Sequence, residues 1–483
     1  MTSEAARLGR NNGASVKGAA AGEVSLLTEC APGGEPHRDR GDDDAGQSTE
    51  PTRHSMRREA VAGTPDSARV DPSPIPRASV AVNAGITAAE IAGRLYAQLT
   101  AGRAPSSLSL VIVFFAPNAP RQALTQALTD RFGDIPVVGC TSAGEITPDG
   151  YAEDTVTALA LAQPAFKTAT ALVPSLSEFR LEEGAPIARD LLRAGQTAFG
   201  ADPNRGDCFA ILLVDGASRQ EEALVAALAH GLGGVPIFGG SAACGLDFDE
   251  TYILEGGQLH TDAALLILVH SRYPFDVFCL DHFEPSDQKM VVTAADPDRR
   301  IVTEINAEPA AIEYARLVGI AETQLSPFVF AEHPVVVRVG GQYHVRAIQR
   351  VEPDGSLQFF CAIDEGLVLT VARSLDMSTH LAEAMAALAG GREPLATLGF
   401  DCILRRLEAE HKQAGRAISE TLSRYNSVGF CTYGEQYRSM HVNQTFTGVM
   451  IHNALPSLAQ QHGQVPADQV PADQVPADTG GDG

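Results

Sequence analysis

The feature that most constrains the fold is an internal repeat. Leu108–Phe115 is an apolar run and reads as a buried strand. An amphipathic helix, ALTQALTDRFG, follows it, and then IPVVGCTSAGE at 135–145. Further along, Phe209–Val214 is again an apolar strand, followed by the helix EEALVAALAHGLG and by VPIFGGSAACG at 235–245. Each copy is a strand, a helix, a Pro-led strand and a loop of Gly, Ser/Thr, Ala and Cys. Each continues into two strands expected to pair, Val156–Ala162 with Phe166–Val173 and Ala263–Val269 with Phe275–Leu280. Matching order and loop chemistry predict a duplicated α/β unit, with its two Gly-rich loops at equivalent sheet edges.

From Lys289 the pattern changes. MVVTAADPDRRIVTEI predicts two strands about a turn at Asp296-Pro297, and a helix is expected around Ala310–Leu317. Strands are expected at Val335–Val339, Tyr343–Arg350 and Leu357–Ile363, with a further one in EGLVLTVAR. Helices fit 377–389 and 402–424. The fold class is therefore α/β (α+β), in two tandem mixed-sheet domains, 107–302 and 303–452. Disordered tails are expected at 1–76 and 453–483, because neither has a hydrophobic period; Met56 is an alternative translation start. The second tail repeats QVPAD at 464–468, 469–473 and 474–478.

A chain of 483 residues with 44% apolar and 20% charged residues has ample material for a core. Its formal net charge of −24 argues against nucleic acid or an anionic membrane as partner. No apolar run reaches the roughly 18 residues of a membrane helix. Eight scattered Cys without a secretory leader predict reduced thiols and a cytoplasmic location.

The candidate sites begin with Gly139, Cys140 and Thr141 in one loop and Gly239, Gly240 and Ser241 in the other. Backbone N–H groups there would suit an anion, but neither loop has P-loop or GxGxxG spacing, so a tight turn packed at a domain seam is the alternative. Cys140 has no visible base and aligns with Gly240, which favours packing over nucleophilic chemistry. The stretch Asn426–Ile451 carries Tyr433, Glu435, Gln436, His441, Asn443 and Gln444 on a polar turn between two strands. Those groups suit a ligand pocket or an inter-domain seal. His282, in VFCLDHFEPSD, reads either as a turn histidine or as an axial ligand for haem iron, with His441 the second candidate. Asp401 reads as a helix N-cap. Zinc at Cys361, Cys402 or Cys431 lacks any CxxC or HxxxH spacing. No hydrolase frame is present, and no enzyme is expected.

Five segments together resemble the FIST proteins, which join an N-terminal and a C-terminal FIST domain. They are VVGCTSAGEI (137–146), FGGSAACGLDF (238–248), FFCAIDEGLVLTVAR (359–373), DCILRRLE (401–408) and GFCTYGEQYRSMHVNQTFTGV (429–449). The resemblance implies a sensory module of signal transduction that binds a small ligand. DHFEPSDQKMVVTAADPDRRIVTEIN (281–306) is similar to the haem-binding, nitric-oxide-sensing branch, which implies haem on His282 and regulation of a histidine kinase or a cyclic-di-GMP enzyme as partner. Homo-oligomerisation is compatible with it. The alternatives are a module for an amino acid or other metabolite and a thiol or zinc redox sensor.

Overall fold

Every residue of Leu108–Phe115 is apolar except Ser109, and the reason is that both faces of this strand are covered. Leu110, Ile112 and Phe114 enter one core and Val111, Val113 and Phe115 another. The computed structural model describes residues 73–245, 250–339 and 341–453, and the expected tails lie almost wholly outside them.

The repeat occurs three times, not twice. The first copy is β1 (Arg77–Ala81), α1 (Ala88–Leu99), β2 (Leu108–Phe115), α2 (Arg121–Phe132), β3 (Val137–Thr141), the hairpin β4 (Glu145–Thr147) and β5 (Gly150–Ala152), and β6 (Thr155–Ala162). The second is β7 (Phe166–Val173), α3 (Leu181–Phe199), β8 (Cys208–Val214), α4 (Glu221–Leu232), β9 (Ile237–Ser241), the hairpin β10 (Ile253–Glu255) and β11 (Gln258–His260), and β12 (Ala264–Ser271). The third opens with β13 (Phe275–Leu280) and is then interrupted by an inserted lobe. That lobe comprises β14 (Phe283–Asp296), β15 (Ile301–Ile305), β16 (Glu308–Pro309), α5 (Ala310–Val318), α6 (Pro327–Glu332), β17 (Val335–Val339), β18 (Gln342–Arg346), β19 (Ile348–Val351), β20 (Leu357–Phe359) and β21 (Val368–Ser374). The third copy resumes with α7 (Met377–Ala389), β22 (Pro394–Cys402), α8 (Ile403–His411), α9 (Gly415–Arg424), β23 (Ser427–Thr432), the hairpin β24 (Glu435–Tyr437) and β25 (Met440–Val442), and β26 (Phe446–His452).

Each copy builds a six-stranded sheet from four of its own strands and the hairpin of another copy. The orders are β1-β6-β2-β3-β10-β11, β7-β12-β8-β9-β24-β25 and β13-β26-β22-β23-β4-β5. In all three the central pair is parallel and every other pairing is antiparallel. The hairpins thus pass cyclically from copy to copy and lock the body into one unit. The expected pairings of 156–162 with 166–173 and of 263–269 with 275–280 do not form. β6 and β7 belong to different sheets, as do β12 and β13, so each chain reversal is a crossing between sheets.

The inner faces share one core, at whose centre Phe114 stacks on Phe430 at 4.6 Å and Phe400 lies 4.9 Å from Phe430 and 5.5 Å from Phe238. The helices cover the outer faces. Their termini follow sequence chemistry. Thr87 and Glu90 close a capping box on α1, Asp376 accepts the Thr379 N–H at 2.7 Å to start α7, and Gly390, at φ +56°, ends it.

The inserted lobe has its own sheet and its own core around Met290, Tyr314, Phe330 and Leu369. It starts at Phe283, so the boundary expected near 303 falls inside β15. It leaves and re-enters the body through one pair of strands, with Phe283 opposite Ser374. Two expected elements are split. Tyr343–Arg350 spans β18 and β19, and 402–424 spans α8 and α9. The expected polar turn at 433–445 is the buried hairpin β24–β25, whose Glu435 and Gln436 pair with Gly240 and Gly239.

Candidate functional site

The loops after β3, β9 and β23 leave the carboxyl ends of the parallel strands, where open α/β sheets place their ligands. Here the loops meet. Ala243 N–H donates to Thr141 O at 3.0 Å, Ala143 N–H to Cys431 O at 3.0 Å, and Tyr433 N–H to Ser241 O at 3.4 Å, a closed ring of three bonds. Outside it, Thr141, Ser241 and Cys431 donate to Tyr252 O, Gly434 O and Gly144 O. The N–H groups that a phosphate cradle would need are therefore committed to neighbouring loops. Gly139, Cys140, Thr141, Gly239, Gly240 and Ser241 are brought together, but as structure. Burial pushes the Cys140 thiol well above its usual range.

Two carboxyls occupy matching places beside this ring. Glu145 accepts from Ser142 and from Thr155 N–H; Glu435 accepts from Thr432 at 3.2 Å and from Thr445 N–H and hydroxyl at 3.1 and 2.8 Å. Burial pushes each up to about 8, against which those hydrogen bonds act. A carboxyl with a raised folded pKa binds its proton more readily when folded. Its contribution is therefore full below about pH 4.5, its unfolded value, and is lost as pH rises towards 8. Glu435→Gln keeps the acceptor for Thr445 and removes the titration. We expect this variant to melt above the wild type at pH 8.5 and to show a flatter melting-temperature profile between pH 5 and 8.5, read by circular dichroism.

The inserted lobe seats on the loop ring. Val336, Val345, Ala347 and Phe360 pack with Ala243, Cys431, Tyr433 and residues of α8. Gln444 Nε2 donates to Ala331 O at 2.9 Å, and Asn443 Oδ1 accepts from Ala347 N–H at 3.5 Å. His441, buried, lies between Gln436 Nε2 and Asn443 Nδ2. On the other side Arg300, at φ +57° in the β14–β15 turn, reaches Glu221 at 2.6 Å and Glu222 at 2.7 Å on the first turn of α4. Between these contacts lies a cleft of about 150 Å³. Its body wall is Gly216, Ala217, Arg219 and Glu221, the last neutralised by Arg300, with Tyr433 from the third copy; Arg300, Gln349, Arg350 and Gln358 come from the lobe.

His282 lies in the two-residue link between β13 and β14, at the stalk of the lobe, and is 1% exposed. Its Nδ1 lies 2.6 Å from Arg405 Nη1 and its Nε2 2.9 Å from Glu408 Oε2. Arg405 only donates, so Nδ1 is the acceptor and Nε2 carries the proton given to Glu408. Burial, then the Arg405 charge, lowers the His282 pKa and keeps the ring neutral. Glu408 also accepts from Ser374 on β21 and from Lys412 at 2.7 Å, while Arg405 Nε donates to Asp401 at 2.6 Å and Tyr151 hydroxyl to the same carboxylate. Asp401 is thus an ion-pair partner; Cys402 stands at the N-cap of α8. His282 O accepts from Leu375 N–H at 2.8 Å, closing the stalk.

This network tests the fit of haem. Axial ligation needs a ring nitrogen with a free lone pair facing a large cavity. The His282 lone pair is engaged by Arg405, and His441 is enclosed by Gly434, Gln436 and Asn443. Neither histidine lines a described cleft. The residues do not fit the group. Among the described residues no His, Cys, Asp or Glu cluster of three could hold a metal ion. No helix among them is long and apolar enough to cross a membrane.

Arg405, Glu408, Tyr151, Arg300 and Arg219 were not legible as site residues, because charges in a run such as RRLEAE read as a solvated helix face. The i,i+4 spacing of Asp401 and Arg405 was the available signal.

Residues 109–308 match the FIST N domain and residues 310–438 the FIST C domain. An uncharacterized protein of Methanocaldococcus jannaschii is 23% identical over 383 residues, covering 70% of this chain and 73% of its own length. The crystal structure of a cyanuric acid hydrolase from A. caulinodans aligns over 79% of this chain and 99% of its own, at 9% identity and a TM-score of 0.35. The two domain matches cover most of the chain, which belongs to the FIST family, whose domains are the small-ligand sensory parts of signalling proteins.

Proposed function

We propose that the protein is a sensor for a small carboxylate-bearing metabolite of amino-acid size, bound in the cleft between the loop ring and the inserted lobe. The carrying observation is the composition of that cleft: one wall belongs to the body, the other to the lobe, and Tyr433 spans the junction. A ligand touching both walls binds the seated and unseated lobe differently, which is what a signal requires. Arg219 and Arg300 both hold positive φ at its rim, a strain that non-glycine residues keep where a site over-determines them. Arg219 has no hydrogen-bond or ion-pair partner among the described residues, leaving its guanidinium for a carboxylate. The Gln349 amide supplies a donor and an acceptor for the rest of a polar ligand, while Gln358 Nε2 is spent on the Arg299, Arg300 and Phe359 carbonyls. The engaged His282 lone pair and the small size of this cleft favour a metabolite over haem, so nitric-oxide sensing through His282 is not the preferred reading. The output passes to a partner, for which a histidine kinase or a cyclic-di-GMP enzyme remains the proposal.

The test is thermal denaturation of the full chain against an amino-acid and small-carboxylate panel, with an absorption spectrum after haem addition. At least one carboxylate is expected to raise the melting temperature, and Arg219→Gln to weaken that ligand about tenfold or more, the loss of one charge-assisted hydrogen bond. A Soret band that disappears in His282→Ala, with no stabilising carboxylate, would overturn the reading.

A further inference from the structure

A different cleft lies at the other end of the body, where β2 and β22 begin and β6 and β12 end. Its volume is about 860 Å³, and Arg103, Pro164, Arg272, Tyr273, Leu395 and Asn453 are among its walls. Most surface arginines of an acidic chain find a carboxylate or water. Here Arg103 has one nitrogen on the Ser73 carbonyl, while its Nε is buried without any hydrogen-bond partner. Burial lowers its pKa, with no neighbouring carboxylate to offset this. Arg272 is exposed on the same cleft, and neither arginine is ion-paired among the described residues. Two unneutralised guanidinium groups on one cavity, in a chain of net charge −24, make a local positive site. An arginine fork matches a phosphate geometrically, and two forks match its double charge. The remaining wall is largely apolar, with Tyr273 stacked on Phe166 at 6.0 Å as its aromatic part.

We propose that this cleft is a second ligand site, taking a phosphate monoester that carries an apolar or aromatic group. The site shares no residue with the sensory cleft and stands independently of it.

The test uses the full chain with phenyl phosphate, inorganic phosphate and phenol as probes, followed by calorimetry and melting temperature. Phenyl phosphate is expected to bind and stabilise, inorganic phosphate to bind more weakly, and phenol not at all. Arg272→Gln, an exposed position where folding is not at risk, should weaken phenyl phosphate about tenfold or more, and Arg103→Gln should do the same. Arg272→Lys keeps the charge and loses the fork, so it should fall between. Arg219→Gln should leave the affinity unchanged, which separates this site from the first. Wild-type affinity for phenyl phosphate in both glutamine variants, or phenol binding as well as phenyl phosphate, overturns the proposal.

Discussion

Arg405→Met is expected to lower stability by about 3–5 kcal/mol, the usual cost of removing one partner from a buried ion pair. Arg405 is 2% exposed in its side chain and Asp401 1%. Without the guanidinium, Asp401 keeps only the Tyr151 hydroxyl as a hydrogen-bond partner in the network, and His282 Nδ1 loses its donor. Burial raises the energy of every charge left behind, and nothing nearby replaces the lost cation. The effect should show as a large fall in the urea midpoint. It should also reach the lobe, because His282 and Glu408 both hold the β14–β21 stalk, through Leu375 and Ser374. Limited proteolysis of Arg405→Met should therefore cut first at the stalk. A double variant, Arg405→Met with Asp401→Leu, removes both charges and should recover part of the loss. An unchanged urea midpoint in the single variant would mean that the network contributes nothing to the fold.

Some of this architecture was plain in the residues and some was not. The strands buried on both faces announced themselves: Leu110–Phe115 and Cys208–Val214 are continuous apolar runs because alternate side chains enter different cores. Their helices and Gly-rich loops followed in fixed order, so two copies were visible. The third was hidden by two physical facts. The inserted lobe separates β13 from α7, so spacing along the chain no longer reports the repeat. The third loop, CTYGEQ, keeps Cys and Thr in step with CTSAGE but has its Gly and Glu one position earlier, and what unites the loops is a backbone bonding pattern that side chains do not encode. Sheet partners were illegible for a similar reason: β6 and β7 have the alternation and spacing of a hairpin, yet Gln163–Ala165 carries the chain from one sheet to the next. At the site, His282 drew attention as an isolated histidine beside Phe283, but the groups that fix its tautomer are far away in sequence, on α8. A buried arginine among charges looks the same in sequence as an exposed one.

The three central glycines give the last expected result. Gly139, Gly239 and Gly429 occupy matching places on β3, β9 and β23, opposite Val113, Leu212 and Gly399 in the parallel pairs. A Cβ at each would overlap the carbonyl oxygen of that same opposite residue. The obstacle is backbone held in a sheet, so it cannot swing aside as a side chain would. Gly139→Ala, Gly239→Ala and Gly429→Ala are each expected to cost about 2–3 kcal/mol or more, at the upper end for overpacking. Alanine at Gly93 on α1 is the control, because a Cβ there meets nothing within 4 Å. Helix propensity then predicts stabilisation by about 0.5–1 kcal/mol. The contrast discriminates between two roles for the loops. If these glycines exist to let an anion approach the backbone, alanine should weaken ligand binding and leave the melting temperature alone. If they exist to let strands approach each other, alanine should lower the melting temperature in all three copies by similar amounts, as the cyclic topology requires. The close approach of the carbonyls favours the second outcome, and a variant of normal stability at any of the three positions would overturn the equivalence.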